Sequence, residues 1–281
     1  MEVTGYALIF GGGSGISRAA SMTFAKRGAR GLMVADINFE SATKVANESK
    51  AVATHPDFHA EAVQVDVTLP DSVQHAIEAT TRAFGRIDYC VNGAGITGET
   101  SNVVEHSDVQ FQRVMDVNVR GSFLVLKAVS AAMASQKPLL IDPDVPARGI
   151  SRGAIVNMCS VASFAVLPQT VGYVTSKHAV LGLTRTAAYD NIAHNIRVNC
   201  VSPSWVDTPM IEDLFARVPP FKELALSQMP MGRMALPEEI ADVIVFLCSS
   251  GASWVNGSNF TVDGAMTLSP FPPLPSGVPL G

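Results

Sequence analysis

Short apolar runs alternate with longer amphipathic stretches along most of the chain. The apolar runs, such as 31–36 and 153–158, end in small or polar residues and predict buried strands. The stretches between them, such as 40–54 and 106–135, have the spacing of helices that bury one face. Asp71 is predicted to cap another helix, which runs to Phe84. Strands that alternate with helices in this way form a parallel sheet covered on both faces. We therefore predict a single-domain α/β fold, a doubly wound parallel (Rossmann-type) sheet of about seven strands.

The 281 residues suit one large α/β domain, which we predict to span 1–268. Residues 136–152 carry three prolines and two aspartates and predict a surface loop inserted between a helix and a strand. Residues 269–281 are rich in proline and glycine and have no charged side chain, which predicts an extended tail.

Composition and charge narrow the functional classes. Hydrophobic residues make up 47% of the chain and charged residues 16%, enough to bury a large core. The net charge is −5 and the 20 lysines and arginines are scattered, which does not indicate a nucleic-acid surface. We see no signal peptide and no apolar run near the roughly 18 residues that span a bilayer. We expect a cytoplasmic protein that acts on a small molecule, without nucleic-acid or membrane partners.

The cysteines do not suggest a metal centre. Cys90, Cys159, Cys200 and Cys248 form no Cys-x-x-Cys pair, and the histidines show no metal-binding spacing. We predict no metal and four reduced core thiols. Because Cys159 adjoins a candidate site serine, a role for that thiol at the site stays open.

A glycine-rich turn follows the first apolar run. Residues 11–17 read Gly-Gly-Gly-Ser-Gly-Ile-Ser, and a helical pattern follows to about Arg27. A strand, a glycine turn and a helix together form a nucleotide-binding unit. Glycines let the backbone approach a pyrophosphate, and the start of the helix offers free N–H groups. A glycine turn without a ligand is the alternative.

Asp36 ends the second predicted strand, 21 positions after Gly15. This is close to the spacing of a carboxylate that binds the adenosine ribose of a dinucleotide. A carboxylate repels a 2′-phosphate, and Ile37 and Asn38 supply no compensating cation. We therefore favour NAD over NADP.

Tyr173 and Lys177 stand four positions apart on a predicted helix, so their side chains lie on one face. A tyrosine phenol normally titrates at roughly pH 10, and a nearby ammonium favours the phenolate. Ser160, thirteen positions upstream of Tyr173, offers a hydroxyl that would hold a substrate oxygen near the phenol. The three residues suggest acid–base chemistry on an oxygen-bearing substrate.

These three residues match the Ser…Tyr-x-x-x-Lys signature of the short-chain dehydrogenase/reductase family, which the chain resembles over roughly 3–264. The family's Thr-Gly-x-x-x-Gly-x-Gly motif is matched in part, because Phe10 replaces the threonine and Ser17 the last glycine. Its Asn-Asn-Ala-Gly motif is matched at 92–95, except that Gly93 replaces the second asparagine. Ser204 stands where the family usually has glycine.

The resemblance implies roles for the site residues. Tyr173 would be the general acid/base, poised by Lys177, and Ser160 would hold the substrate oxygen. Asn118 would lie at a local helix kink and support a water-mediated proton path from Lys177. Spacing and resemblance together give the predicted cofactor-binding residues: Gly11, Gly13, Ser14, Gly15, Ile16, Asp36, Asp66, Val67, Asn92, Ala94, Gly95, Tyr173, Lys177, Pro203, Val206 and Thr208.

We thus expect an NAD-dependent oxidoreductase that moves a hydride between the nicotinamide and a secondary alcohol or ketone. The family's substrate lid corresponds to 204–232, and its apolar side chains suggest a bulky apolar substrate, with ordinary helix packing or subunit contact as the alternative. An NADPH-dependent ketoreductase, a non-redox isomerase or dehydratase, and a redox-silent binder stay open as functions. The resemblance also implies a dimer or tetramer built through the two long helices.

Overall fold

The computed structural model of the protein describes residues 3–268, so the predicted tail at 269–281 lies outside the described residues. The strands are β1 Tyr6–Phe10, β2 Gly31–Asp36, β3 His59–Gln64, β4 Tyr89–Asn92, β5 Leu139–Leu140, β6 Ile150–Ser151, β7 Gly153–Met158, β8 Ile196–Pro203 and β9 Asn259–Val262. The helices are α1 Gly15–Lys26, α2 Phe39–Val52, α3 Pro70–Phe84, α4 Asp108–Val114, α5 Ser122–Ser135, α6 Val171–Asp190, α7 Pro209–Arg217, α8 Pro220–Ser227 and α9 Pro237–Cys248.

Seven strands form a parallel sheet in the order β3-β2-β1-β4-β7-β8-β9. The chain starts at the centre of the sheet, builds outward through β2 and β3, and returns to add β4 on the other side of β1. Ala7 of β1 is therefore in register with Leu32 on one side and with Tyr89 on the other. This reversal of strand order opens a crevice at the carboxyl ends of β1 and β4. The predicted doubly wound parallel sheet of seven strands is confirmed.

Helices bury both faces of the sheet. One hydrophobic cluster joins α1, α2 and α9 to the sheet and includes Phe24 and Ile244. The cluster on the opposite face joins α3 and α5 to the sheet and includes Val129 and Met133. The central strands are mostly apolar because both of their faces are covered.

A long helical region leads from the loop after β4 to the far side of the sheet. It consists of α4, a π-helical turn at Met115–Gly121 and α5. By length and composition alone, Asp108–Ser135 would be able to cross a membrane. Its α5 portion packs on the sheet with Val125, Leu126 and Met133 buried, which is the packing of a core helix.

Two local predictions need correction. We predicted that Asp71 caps the third helix, but α3 begins at Pro70 and its N-cap is Leu69. Proline at the first helical position has its φ fixed for a helix and has no N–H group that needs a cap, so Asp71 lies inside the first turn. We predicted a loop at 136–152, and within it β5 and β6 pair as a short antiparallel hairpin.

The predicted lid segment folds as α7 and α8. Its side chains form a third cluster, centred on Trp205, Leu214 and Phe221, which is separate from the two clusters of the sheet. Thr208 precedes α7 with an extended backbone, so the lid begins directly beyond the end of β8.

Candidate active site

A cavity of about 450 Å³ opens at the carboxyl ends of the central strands. It brings together most of the predicted site residues. These are Gly11, Ser14, Gly15, Ile16, Asp36, Asp66, Val67, Ala94, Gly95, Ser160, Tyr173, Lys177, Pro203, Val206 and Thr208. Gly13, Asn92 and Asn118 do not line the cavity, and their contacts assign them supporting positions.

The glycine turn forms one wall of the cavity. Gly11 has φ +65°, and a side chain there would place its Cβ 2.8 Å from the backbone nitrogen of Ala94, so only glycine fits. Ser14, the N-cap of α1, makes no side-chain cap, which leaves the N–H groups of the first helical turn open to the cavity. The close backbone approach and the free N–H groups fit the pyrophosphate of a dinucleotide.

Asp36 is held at the end of β2 by backbone donors. The Gly13 N–H donates to its Oδ2 at 2.9 Å, and the Asn38 N–H donates to its Oδ1 at 2.9 Å. Gly13 thus joins the glycine turn to the carboxylate, and a Cβ at this position would lie 2.9 Å from Oδ2. The carboxylate is fixed in orientation and faces the cavity, where its remaining lone pairs are free to accept ribose hydroxyls.

Asn92 connects two strands of the sheet through its side chain. Its side-chain amide donates to Asn157 Oδ1 at 3.0 Å, and the Asn157 amide donates to Thr184 Oγ1 on α6 at 2.9 Å. All three side chains are buried. This chain of hydrogen bonds fixes β4 and β7 to the helix that carries Tyr173, which is a positioning role.

Lys177 lies beside Tyr173 on α6. Its Nζ lies 5.6 Å from the centre of the Tyr173 ring and donates to the Met158 carbonyl at 2.8 Å. The lysine is 6% exposed, so its charge acts in a site with little water around it. An ammonium has three N–H groups, so those not bound to Met158 remain for a substrate, a cofactor hydroxyl or water.

Ser160 lies just after β7 and faces the same cavity. Its Oγ accepts a hydrogen bond from the Ala162 N–H at 3.2 Å, and its own N–H donates to Ser163 Oγ at 3.2 Å. These two bonds fix the serine at the start of a short 3-10 turn, 161–163. Within residues 3–268 its hydroxyl donates no hydrogen bond, so its proton is free for an oxygen of a bound substrate.

Asn118 lies in the π-helical turn, at the place where the family resemblance implies a helix kink. Its Oδ1 accepts from the Ile96 N–H at 2.8 Å, and its amide donates to the Ile96 carbonyl at 2.9 Å and to Ser176 Oγ at 3.0 Å. Ser176 Oγ in turn donates to the Tyr173 carbonyl at 2.7 Å. The amide of Asn118 therefore holds the loop after β4 against the tyrosine helix.

The remaining predicted contacts lie at the two ends of the cavity. Asp66 Oδ1 accepts from the N–H and the hydroxyl of Thr68, at 2.9 and 2.7 Å, which shapes the turn after β3. Thr208 lies across from Gly15, where a Cβ would be 3.5 Å from the Thr208 methyl.

Ser204 stands where the family usually has glycine. It is not among the residues of 3–268 with positive φ, so the turn at this position does not need a glycine.

Sequence reasoning gave no site role to several lining residues, among them Met158, Arg113 and Ile37. Met158 supplies the carbonyl that holds Lys177, but a backbone acceptor leaves no trace in the side-chain pattern. Arg113 also lines the cavity. It lies one turn before the cavity residue Val117, so projecting that helix onto a wheel would have found it. Ile37 follows Asp36 and lines the cavity although its side chain is exposed.

The four cysteines are free and buried. Cys159 lines the cavity beside Ser160. A hydrogen bond from Cys200 lowers the pKa of Cys159, and the Lys177 ammonium acts in the same direction. Burial raises the pKa of Cys248 to about 12, which keeps that thiol protonated.

The glycine turn and the Tyr173–Lys177 pair line one cavity, at the point where the strand order of the doubly wound sheet reverses. This arrangement defines a Rossmann-type oxidoreductase. The chain matches the family model described as enoyl-(acyl carrier protein) reductase over residues 11–267. It is 48% identical over 270 residues to a short-chain dehydrogenase of Aspergillus ruber, covering 96% of this chain and 99% of that protein. The chain belongs to the short-chain dehydrogenase/reductase family, whose members use NAD(P) nicotinamide cofactors.

Two relatives with more specific names are also similar. Cyclohexanol dehydrogenase of Acinetobacter sp. is 36% identical over 262 residues, covering 93% of this chain and 94% of that protein. The crystal structure of levodione reductase matches with a TM-score of 0.83 at 32% identity, covering 96% of this chain and all of that one.

Proposed function

We propose that the protein is an NAD-dependent oxidoreductase that interconverts a bulky, apolar secondary alcohol and its ketone. The observation that carries the proposal is that Tyr173, Lys177 and Ser160 line the same cavity as the glycine turn and Asp36. A nucleotide held by the turn would meet a substrate oxygen held by Ser160 within one enclosed space.

The bound nicotinamide supplies the hydride acceptor for oxidation and the hydride donor for reduction. During oxidation Tyr173 takes the hydroxyl proton of the alcohol as the carbinol C–H bond breaks. Ser160 donates a hydrogen bond to the substrate oxygen and sets its position in front of the phenol. In reduction Tyr173 returns the proton, and the same donors stabilise the negative charge that develops on the oxygen. The Lys177 ammonium stabilises the phenolate between these steps.

The surroundings of Asp36 support NAD rather than NADP. Each carboxylate oxygen accepts one backbone N–H, so the charge is oriented and lies beside the cavity. A 2′-phosphate at this place would face a carboxylate at close range, with the neutral residues Ile37 and Asn38 next in the chain. The ribose hydroxyls of NAD would instead donate to it.

The lid supports an apolar substrate. Met210 and Ile211 reach the cavity from the start of α7, and the rest of the lid packs around Trp205 and Phe221. Apolar, adaptable side chains exclude water from a hydride-transfer site and favour a substrate with a large hydrocarbon surface. Cyclohexanol, named in one of the two relatives above, is a secondary alcohol on a hydrocarbon ring.

Initial rates with NAD and NADP, measured across a panel of secondary alcohols and ketones, test the proposal. We expect formation of reduced nicotinamide from NAD with cyclic or aryl-substituted alcohols, and a product lighter than the substrate by two hydrogens. Faster turnover with NADP would overturn the cofactor assignment. A product of unchanged mass, or one lighter by a water, would identify a non-redox reaction, and nucleotide binding without turnover of any substrate would indicate a binder.

We also propose a homo-oligomer formed through the long helices. Phe123 on α5 and Tyr189 on α6 are large side chains that are 47% and 78% exposed. Apolar surface of this kind on adjacent helices is typical of subunit contacts. Light scattering after size exclusion should give a dimer or tetramer mass, and a Phe123→Lys variant should shift it toward the monomer. A native protein that elutes as a monomer would contradict this part.

A further inference from the structure

Ser17 lies in the first turn of α1 and is 4% exposed, yet its hydroxyl has no hydrogen-bond partner within residues 3–268. The small exposed part of this serine lies at the cavity, beside Gly15 and Gly93. Ser21, one turn further along the same helix, provides a contrast. It is fully buried, and its hydroxyl donates to the Ser17 carbonyl at 3.1 Å. Because the exposed part of Ser17 lies at the cavity, a hydroxyl without a protein partner there is available to a bound ligand.

Gly93 provides the space for this hydroxyl. A side chain at position 93 would place its Cβ 2.0 Å from Ser17 Oγ and 3.4 Å from Ser17 Cβ. The serine Cβ would tolerate that neighbour, but the hydroxyl would have to rotate away. The Gly93 backbone is itself fixed, because its N–H donates to the Phe10 carbonyl at 3.1 Å. Two departures from the family motifs, at positions 17 and 93, thus share one volume of space.

We propose that Ser17 is a cofactor-binding residue whose hydroxyl donates to the pyrophosphate of the dinucleotide, and that Gly93 is the positioning residue that keeps it there. The cavity wall around Ser17 consists of the glycine turn and the start of α1, where free N–H groups favour an anion. A hydroxyl donor to a phosphate oxygen is a charge-assisted bond and one of the stronger kinds.

This inference rests on the dinucleotide-binding part of the proposed function and is independent of the substrate and of the choice between NAD and NADP. It concerns the phosphate half of the ligand alone. ADP-ribose, which contains the pyrophosphate, and adenosine, which lacks it, therefore separate a lost phosphate contact from general damage to the site.

Calorimetric titration of the full-length protein with the two probes is the test. Ser17→Ala should weaken ADP-ribose binding roughly tenfold, as expected for one hydrogen bond to a charged group, and leave adenosine binding unchanged. The matched control Ser21→Ala should leave both affinities as in the native protein. If Ser17→Ala binds ADP-ribose as tightly as the native protein does, or loses adenosine equally, the proposal is wrong.

The role of Gly93 is tested by a double-mutant cycle. Gly93→Ala should weaken ADP-ribose binding as Ser17→Ala does, and should add no further loss when the two are combined. Thermal unfolding of each variant without ligand shows whether it is folded. Independent, additive losses would overturn the positioning role of Gly93. A native protein that binds neither ADP-ribose nor a dinucleotide would instead contradict the proposed function itself.

Discussion

The ammonium of Lys177 is held between two structural elements: α6 places it 5.6 Å from the Tyr173 ring centre, and the end of β7 binds it through the Met158 carbonyl at 2.8 Å. A lysine side chain free in solution samples many rotamers. This one is restrained before any ligand arrives, so its field at the phenol requires little reorganisation during the reaction. In the proposed mechanism, the end of β7 would therefore support the acid–base chemistry through one backbone oxygen.

Replacing Tyr173 by phenylalanine should separate chemistry from binding. The ring and its packing remain, but the proton-transferring hydroxyl is lost, so kcat should fall by roughly 10²- to 10⁴-fold. Affinity for NAD should stay close to native, as measured by calorimetry. Tyr189→Phe is the matched control, because Tyr189 is on the same helix, does not line the cavity and keeps its ring in the variant, so its kcat should not change. Near-native turnover by Tyr173→Phe would defeat the mechanism.

Substituting Asp36 should change cofactor preference. Asp36→Ala removes the charge that faces the adenosine ribose, and we expect the ratio of kcat/KM for NAD over NADP to fall roughly tenfold or more. Asp36→Asn keeps the shape of the side chain and its acceptor oxygen, so a similar shift in this variant would assign the effect to charge. An unchanged ratio in both variants would remove Asp36 from cofactor selection.

Asn118 should matter for stability as well as for rate. Asn118→Ala breaks two hydrogen bonds to Ile96 and one to Ser176, and leaves backbone groups of Ile96 without partners. We expect a loss of about 2–4 kcal/mol in the free energy of unfolding, measured in urea, together with a lower kcat. Ser176→Ala loses the last of those contacts and its own bond to the Tyr173 carbonyl, but keeps both Ile96 bonds, and should cost about 1–2 kcal/mol. Equal losses in the two variants would show that the Ile96 bonds contribute little.

The start of α9 should give a small pH dependence of stability. Glu239 accepts two hydrogen bonds from Arg233, both at 2.8 Å, and one from the Leu236 N–H at 2.7 Å. The Arg233 hydrogen bonds are the main cause that lowers the pKa of Glu239 to about 2. Because the folded pKa lies below the ordinary value of 4.5, the stabilisation is complete above that value and is lost as pH falls toward about 2.

Unfolding temperatures of Glu239→Gln and the native protein check this. We expect the variant to melt lower at pH 7 and the difference to shrink steadily below pH 4.5. The effect should be modest, since the pair is exposed to solvent. Glu238→Gln serves as the neighbouring control. A difference that grows on acidification would have the wrong sign for this ion pair.

The pattern of apolar runs along the chain was enough to predict the sheet. Its central strands are buried on both faces, so each appears in the sequence as a short apolar run. Motif spacing was enough to bring Asp36, Ser160, Tyr173 and Lys177 to one edge of that sheet, since parallel strands all end there. Local signals were weaker. Asp71 is a good capping residue, but Pro70 starts α3 one position earlier and makes the cap unnecessary. The hairpin of β5 and β6 has two residues in each strand, too few for a period to show.

Long-range pairs could not be predicted from the sequence. Ser17 and Gly93 each look like a defect in a separate motif, and only the fold shows that one makes room for the other. The partners of Asn118 come from the loop after β4 and from α6, so its side chain could be placed at a kink but not connected to Tyr173. Such contacts depend on three-dimensional packing that no linear spacing encodes.

The lid cluster around Trp205, Leu214 and Phe221 is separate from both sheet clusters, and this separation has an evolutionary consequence. Substitutions in the lid can remodel the shape that a substrate meets without disturbing the packing that keeps the strands together. Selection for a new substrate could therefore act on α7 and α8 while the glycine turn and the strands around it stay unchanged. A scaffold divided in this way explains how one ancestral chain can give rise to descendants with many specificities.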